Sequence, residues 1–317
     1  MKEIRVDFRY FSRDFCRNNN IFTKLLQKMY KVNITTKNPD FVFFSNFDGT
    51  NDKKMPLVEG NFVKIFYTGE NCRPKFDKCD YAFTFDYDEE LKNPHHLRLP
   101  LYKFYGAGNN LIKPKQSNKS LEKIKNDKTK FCNYVYSKNA IERVEFFKKF
   151  SKYKHVDAPG KSMNNSLPIA PNAFIGLINS IESKLTKNNK LGSLLSRHIG
   201  DYQVTKLKYL KPYKFTIAFE NSSYPGYTTE KIYHPMLVNS IPIYWGNSKI
   251  SRDFNTKSFI NYHDYNDINK VIDKVIEIDT NENKYFKMLK EPWYNKNKES
   301  KYVNDELIMK QLKKICG

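Results

Sequence analysis

The chain has 317 residues, of which 39% are hydrophobic and 15% aromatic, so it can bury a core and is long enough for two domains. This composition excludes wholesale disorder despite the polar average. The formal net charge of +21 favours encounters with phosphates, nucleic acid or anionic lipid, but the lysines are spread along the whole chain and most are expected to face solvent.

The cysteines predict a reducing environment. There are five of them, an odd number, and no stretch of the sequence has the pattern of a signal peptide or a membrane-spanning helix. Cys72 and Cys79 are close enough for a disulfide or half of a metal site, but no second pair of Cys or His stands at zinc-site spacing. We therefore expect free thiols.

The first hundred residues alternate short apolar runs with a helical pattern, which is typical of an α/β domain. A strand is predicted over residues 4–8 and is followed by a helix whose apolar positions share one face. Further strands are predicted over residues 41–44, 62–67 and 81–85, each bounded by turn residues. We predict a first domain over residues 1–125.

Residues 106–130 consist mainly of Asn, Ser and Lys with little periodicity, which predicts a solvated linker. The α/β pattern then returns and predicts a second domain over residues 126–290. Its predicted elements are a strand at 131–136, a helix at 140–150, and strands at 215–219 and 241–245.

Two further segments are less regular. Residues 161–211 have weak periodicity apart from a helix predicted at 173–187, and we assign them no chemistry. After His263 helical spacing returns, Pro292 stops one helix, and a closing helix is predicted within residues 291–317.

The most informative segment covers residues 214–253. It predicts a buried strand that ends at Glu220 and Asn221, a tight turn, a helix capped by Thr228 or Thr229, and a second buried strand. In open α/β sheets, ligands bind outside the carboxyl ends of the strands. Neither glycine-rich nucleotide signature occurs in the sequence, which argues against a dehydrogenase or a P-loop enzyme.

The start of the predicted helix suits a diphosphate, because helix amino termini offer unpaired N–H groups and a positive dipole end. Lys231 would add a full charge there, Glu230 could accept the hydroxyls of a ribose, and Tyr227 could pack on a base or a sugar. Spacing alone nevertheless favours a plain capped helix with a dipole-matching acid and a solvated lysine.

This segment resembles the donor-binding signature of the α-1,3/4-fucosyltransferases, glycosyltransferase family 10. In that family the run F-E-N-S, a short turn, Y-x-T-E-K and an I-P-V/I-x-x-G strand follow one another, and they correspond here to residues 219–222, 227–231 and 241–246. Further similarity extends over roughly residues 6–263. The resemblance implies an α/β fold of two facing Rossmann-like domains, the GT-B type, with the active site in the cleft between them.

The resemblance also implies an activity: inverting α-1,3 transfer of L-fucose from GDP-fucose to a hydroxyl of an acceptor glycan. Glu70 matches the general base of the family, which is needed because a sugar hydroxyl is a poor nucleophile until it loses its proton. Positive side chains would stabilise the charge left on the diphosphate. Five residues match the donor-binding positions of the family: Arg143, Asn221, Tyr227, Glu230 and Lys231.

Without the resemblance, these residues have simpler interpretations. Glu70 alone would be a turn carboxylate, and Arg143 a solvated helix position. Pro235 departs from the family pattern, since it removes a backbone hydrogen bond and is expected to kink or shorten the helix after its first turn.

The family suggests the partners as well. The expected acceptor is N-acetylglucosamine in a galactose–N-acetylglucosamine unit of a surface polysaccharide or glycolipid, and no nucleic acid is expected. The chain has neither the membrane stalk nor the heptad tail of some members, so we expect a cytoplasmic enzyme that can rest on the anionic inner membrane through its basic surface.

No metal or cofactor is expected to be required, with a divalent cation at most stimulatory. Asp86 and Asp88 have the D-x-D spacing of metal-dependent sugar transferases, but they precede further acids in a loop that we expect to be exposed. His95 and His96 are adjacent, so in a strand they would face opposite sides and could not easily share an ion.

Two other functions fit part of the sequence. A basic nucleic-acid-binding protein would account for the charge, but no recognition helix, zinc motif or RNA-binding platform is evident. A glycosidase could use Glu70 and Glu220 as paired carboxylates. In that hypothesis Lys231 and Arg143 have no role, whereas both would stabilise the negative charge of a diphosphate leaving group.

Overall fold

The computed structural model describes residues 1–12, 15–47, 54–170, 175–176, 178, 181–182 and 202–317. Within these residues, the chain forms two parallel β-sheets, each covered by helices and each with its own apolar core. Parallel sheets of this kind occur in α/β folds, where helices cover both faces. The predicted division into two α/β units is therefore present.

The described part of the first unit contains a sheet of six strands in the order β2-β1-β3-β4-β5-β6, and all neighbouring strands run parallel. The elements in chain order are β1 (Glu3–Arg9), α1 (Ile21–Gln27), β2 (Lys31–Ile34), β3 (Phe41–Phe44), β4 (Val63–Tyr67), β5 (Tyr81–Thr84), α2 (Asp88–Leu91), β6 (His96–Arg98) and α3 (Leu101–Phe104). The four strands and the helix predicted from the sequence are confirmed.

The second unit contains, in its described part, a sheet of five parallel strands in the order β11-β10-β9-β7-β8. The remaining elements are α4 (Asn118–Asp127), β7 (Lys130–Asn133), α5 (Ile141–Phe150), β8 (Val156–Asp157), α6 (Tyr202–Leu210), β9 (Tyr213–Phe219), α7 (Glu230–Leu237), β10 (Ile241–Trp245), β11 (Ile260–Asn261), α8 (Ile268–Thr280), α9 (Glu282–Lys290) and α10 (Asp305–Cys316). The predicted strands at 215–219 and 241–245 correspond to β9 and β10.

The last helix, α10, packs against the first sheet. Ile308, Leu312 and Ile315 share one face of α10 and are buried in the same cluster as Phe22 and Phe43, whose ring centroids lie 4.7 Å apart. The first unit is therefore formed by the first elements of the chain together with α10, and the second unit lies between them in the sequence.

The prediction of a solvated linker over residues 106–130 is wrong in part, because α4 lies within it. Ser117 caps this helix, and Leu121 is fully buried in the core of the second sheet. The helix has only Leu121 and Ile124 as large apolar residues on that face, so its periodicity is hard to see among the lysines. The helix predicted at 173–187 lies mostly outside the described residues.

All five cysteines are free, as predicted. Pro235 lies inside α7, which ends two residues later at Leu237, while the first turn of the helix is intact. Within the described ranges, no helix combines the length and the apolar composition needed to cross a membrane.

Candidate active site

A buried carboxylate joins the end of β9 to the start of α7. Glu220 directly follows β9 and is completely buried. Its Oε1 accepts the backbone N–H of Thr229 at 2.7 Å, and its Oε2 accepts the Thr229 hydroxyl at 2.7 Å. Thr229 is the N-cap of α7, so of the two threonines that the sequence offered as caps it is the second that caps the helix. The strand, the turn and the helix start are thereby fixed to one another.

Gly246, at the end of β10, makes room for this carboxylate. Its φ is +155°, and a Cβ atom at this position would lie 2.4 Å from Cγ of Glu220. Backbone with such a φ is readily available only to glycine. The glycine that ends the I-P-V/I-x-x-G pattern is thus explained by its contact with Glu220.

Lys231 lies between two carboxylates at the start of α7. Its Nζ is 3.3 Å from Glu220 and 3.8 Å from Glu230, and it donates to the Thr229 hydroxyl at 3.1 Å. Burial by itself would lower the pKa of Lys231, but the two carboxylates raise it above its usual value. Lys231 is therefore charged and held in place, not freely solvated.

Glu230 is also paired with Lys206 of α6, whose Nζ lies 3.8 Å from Oε1, the same oxygen of Glu230 that Lys231 approaches. Burial would raise the pKa of Glu230, but Lys231 and Lys206 lower it to about 2. The sequence analysis did not single out Lys206, because it lies in the segment of weak periodicity before β9.

Arg143 forms hydrogen bonds with the end of β9 and with the loop that follows it. It lies on α5, is only 1% exposed, and donates to the carbonyl oxygen of Phe219 at 2.9 Å and 3.1 Å. It also donates to Oδ1 of Asn221 at 2.6 Å. The simpler interpretation of Arg143 as a solvated helix position is wrong, because α5 turns this face toward the carboxyl end of β9.

Tyr227 lies where the two units meet. Its side chain is 1% exposed, and its ring centroid is 5.0 Å from that of Phe85, which follows β5. Burial raises the pKa of Tyr227, and the negative charges of Glu220, Glu70 and Glu230 raise it further. Tyr227 is thus within electrostatic reach of the predicted base, Glu70, and of Glu220 and Glu230.

The loop that carries Glu70 follows β4 and touches the loop after β9. The hydroxyl of buried Thr68 accepts the backbone N–H of Glu70 at 3.0 Å, which shapes the turn. The next residue, Asn71, donates to the hydroxyl of Ser222 at 2.7 Å. Since Ser222 adjoins Asn221, Glu70 is placed at the edge of the first unit that faces the predicted donor residues.

A buried ion pair that the sequence analysis missed joins the two units. Arg98, the last residue of β6, donates to both oxygens of Asp253 at 2.8 Å and 2.9 Å, and both side chains are 0% exposed. Arg98 also donates to the carbonyl oxygen of Gly226 at 3.0 Å, and Asp253 accepts from the Thr228 hydroxyl at 3.1 Å. The Arg98–Asp253 pair thus forms hydrogen bonds with Gly226 and Thr228, the residues before and after Tyr227 in the chain.

The D-x-D residues occupy structural positions. Asp86 is buried and pairs with Arg73 at 2.6 Å and with the Thr84 hydroxyl at 2.6 Å, so the prediction of an exposed loop is wrong for Asp86. Asp88 is the first residue of α2 and accepts the backbone N–H of Arg98 at 2.7 Å. Asp88 therefore supports β6, whereas Asp86 links the end of β5 to Arg73.

The adjacent histidines face different surroundings, as predicted. His96 is buried and bonds to Asp88 at 2.8 Å, whereas the ring of His95 stacks on that of Tyr81 at 4.7 Å. Among the residues that the structure describes, no group of three or more His, Cys, Asp or Glu side chains could hold a metal ion.

Comparison with known proteins identifies the family of the chain. The family model of the alpha-(1,3)-fucosyltransferase FucT N-terminal domain matches residues 6–105, and that of the glycosyltransferase family 10 (fucosyltransferase) C-terminal region matches residues 124–317. An alpha-(1,3)-fucosyltransferase FucT of Helicobacter pylori is 31% identical over 303 residues, which are 93% of this chain but only 60% of that protein.

Two further proteins are similar. The human 4-galactosyl-N-acetylglucosaminide 3-alpha-L-fucosyltransferase 9 is 29% identical over 105 residues, which are 32% of this chain and 29% of that protein. A crystal structure of an alpha1,3-fucosyltransferase with GDP has a TM-score of 0.72 and 25% identity, and the match covers 99% of this chain and 90% of that one. The predicted fold of two Rossmann-like domains, the GT-B type, is confirmed, and the chain belongs to glycosyltransferase family 10, the fucosyltransferases.

Proposed function

We propose that this protein is an inverting α-1,3-fucosyltransferase that moves L-fucose from GDP-fucose to a hydroxyl of an acceptor glycan. The observation that carries this proposal is the fixed cluster of Glu220, Thr229 and Lys231 at the start of α7, next to buried Arg143. The name of the H. pylori relative and the GDP in the similar crystal structure support the donor and the reaction.

The charges of the site suit a diphosphate leaving group. Departure of GDP from the sugar leaves negative charge on the diphosphate, which cations held in advance can stabilise. Lys231 and Arg143 are close enough that the charge of Arg143 opposes the rise in the pKa of Lys231. Each preorganised contact of this kind is worth about 3 kcal/mol of transition-state stabilisation.

Glu70 is the proposed general base that removes the proton of the acceptor hydroxyl. Its loop belongs to the first unit and contacts the donor-side loop through the bond between Asn71 and Ser222. Glu220 is a poor alternative, because it is completely buried and both of its oxygens accept hydrogen bonds from Thr229. The same facts weigh against a glycosidase in which Glu220 would be one of two working carboxylates.

The proposed acceptor is N-acetylglucosamine in a galactose–N-acetylglucosamine unit of a surface polysaccharide or glycolipid. The human relative is named for transfer to a 4-galactosyl-N-acetylglucosaminide, which supports this choice. An acceptor screen with GDP-fucose would compare this disaccharide with lactose and with N-acetylglucosamine alone.

Calorimetric titration of the protein with GDP, UDP and a short oligonucleotide at moderate salt tests the proposal without an acceptor. We expect GDP to bind at least about tenfold more tightly than UDP, a difference of about 1.4 kcal/mol. Binding of the oligonucleotide without any preference for GDP would instead favour a nucleic-acid-binding protein, whose affinity falls steeply with salt.

Transfer is expected to need no metal ion, because Lys231 and Arg143 supply positive charge where the diphosphate would lie. With EDTA in the assay, we expect more than half of the rate of fucosyl transfer to remain. The assay would be repeated with added Mg²⁺ and Mn²⁺ to measure any stimulation. Complete loss of activity in EDTA, restored by either ion, would contradict this prediction.

A further inference from the structure

Lys206 is a basic residue of the donor site that the family signature does not include. It lies on α6, directly before β9, and α6 packs against α7. The Nζ of Lys206 is 3.8 Å from Glu230, and the two side chains are 12% and 16% exposed. Lys206 is therefore largely withdrawn from solvent, and it approaches the same oxygen of Glu230, Oε1, as Lys231 does.

The charges around Lys231 explain why a second lysine is useful. Burial raises the pKa of Glu220, but both of its oxygens accept hydrogen bonds from Thr229 and the ammonium of Lys231 lies 3.3 Å away, which is the arrangement of an ionised carboxylate. Glu230 is ionised as well, since neighbouring cations hold its pKa at about 2. Lys231 alone would leave these two carboxylates with one uncompensated negative charge beside the proposed diphosphate site.

A net negative charge there would repel the donor, because charges that are partly buried are weakly screened by salt. Burial lowers the pKa of Lys206, and the nearby carboxylates of Glu230 and Glu220 oppose this shift. As an ammonium 3.8 Å from Glu230, Lys206 cancels the excess and leaves the group formed by Glu220, Glu230, Lys206 and Lys231 neutral. The positive charge of Arg143 then adds to a neutral group instead of compensating an acidic one.

We propose that Lys206 is a positioning residue for the nucleoside diphosphate sugar, which holds Glu230 in place and frees the charge of Lys231 to act on the diphosphate. This inference rests on the proposed function. Lys206 acts through Glu230 and Lys231 and does not itself need to touch the donor. Its loss therefore weakens donor binding more than it slows the transfer step.

The test compares Lys206→Met and Lys206→Gln with Lys206→Arg. The control is Lys208→Met, which removes an exposed lysine from the same helix. For each protein, calorimetry gives the Kd for GDP, and initial rates give KM for GDP-fucose and kcat. Thermal unfolding shows whether each variant is folded.

We expect both neutral variants to raise the Kd for GDP and the KM for GDP-fucose about tenfold, with kcat within about twofold of the parent protein. Lys206→Arg should restore most of the affinity because it keeps the charge, and Lys208→Met should match the parent. If Lys206→Met unfolds, Lys206→Gln still tests the charge with a polar side chain.

Two results would overturn the inference. One is a Kd and a KM in both neutral variants that stay within about twofold of the values for Lys208→Met. The other is equal impairment of Lys206→Arg and Lys206→Met with lower kcat and unchanged KM, which a purely structural role would produce. If the parent protein itself bound no GDP, the proposed function would fail instead.

Discussion

Glu70→Gln is expected to lower the rate of fucosyl transfer by about 100- to 10,000-fold, the range by which general bases accelerate reactions. The Kd for GDP should stay within about twofold of that of the parent protein, because the cluster around Glu220 and Lys231 is left unchanged. The substitution keeps the size of the side chain and its turn, but an amide cannot accept the proton of the acceptor hydroxyl.

The control for this experiment is Glu59→Gln, which changes an exposed glutamate that precedes β4 in the same unit. We expect this variant to transfer fucose at the parent rate. Single-turnover measurements would show whether the loss in Glu70→Gln lies in the transfer step or in product release. A variant that kept more than about a tenth of the parent rate would rule out Glu70 as the base.

The sequence predicted best those elements that are locally encoded. Strands β3 and β10 are continuous apolar runs, and β9 is interrupted only by Lys214 and Thr216. The start of α7 is marked by a threonine cap before Glu230 and Lys231. The edge strands β2 and β6 were missed, because each is short and pairs with only one neighbour. Their positions depend on the sheet more than on their own residues.

The contacts between distant segments could not be predicted from spacing. Arg98 and Asp253 are 155 positions apart, and nothing local to either residue marks its partner. A cue was present nevertheless, since Arg98 stands between leucines in an otherwise apolar strand end. A charged residue in such a setting needs a buried partner, because burial of an isolated charge is very costly.

Lys206 and Arg143 are also residues whose burial could not be predicted from spacing. Both lie on helices whose lysine-rich sequences predict solvated faces, and both turn inward in the structure. Which face of such a helix turns inward is decided by the sheet that it covers. The family resemblance found Arg143 because its position lies within a known signature, whereas Lys206 needed the structure.

Arg98→Met is expected to be the most destabilising of the substitutions considered, with a loss of about 3–5 kcal/mol in the free energy of unfolding. Methionine fills much of the same volume, but it leaves the carboxylate of Asp253 buried without its cation. The hydroxyls of Thr228 and Tyr102 would still donate to Asp253, so we expect the lower end of this range. Chemical denaturation followed by fluorescence and circular dichroism would measure the loss.

The matched control is Glu145→Gln, which breaks an exposed pair with Lys149 one turn along α5. Such a pair is worth about 0.3–0.5 kcal/mol, so this variant should be close to the parent in stability. A loss below about 1 kcal/mol in Arg98→Met would show that the buried pair contributes little. The result would then agree with systems in which buried ion pairs can be replaced by apolar residues.

We expect the pair to link stability to donor binding, because it holds Gly226 and Thr228 on either side of Tyr227, a proposed donor-binding residue. We therefore expect folded Arg98→Met to bind GDP more weakly, whereas Glu145→Gln should bind it normally. We expect the parent protein and the variant each to unfold in one transition, so that one free energy of unfolding is defined for both. Two transitions in the parent would show that the two units unfold independently although the Arg98–Asp253 pair joins them.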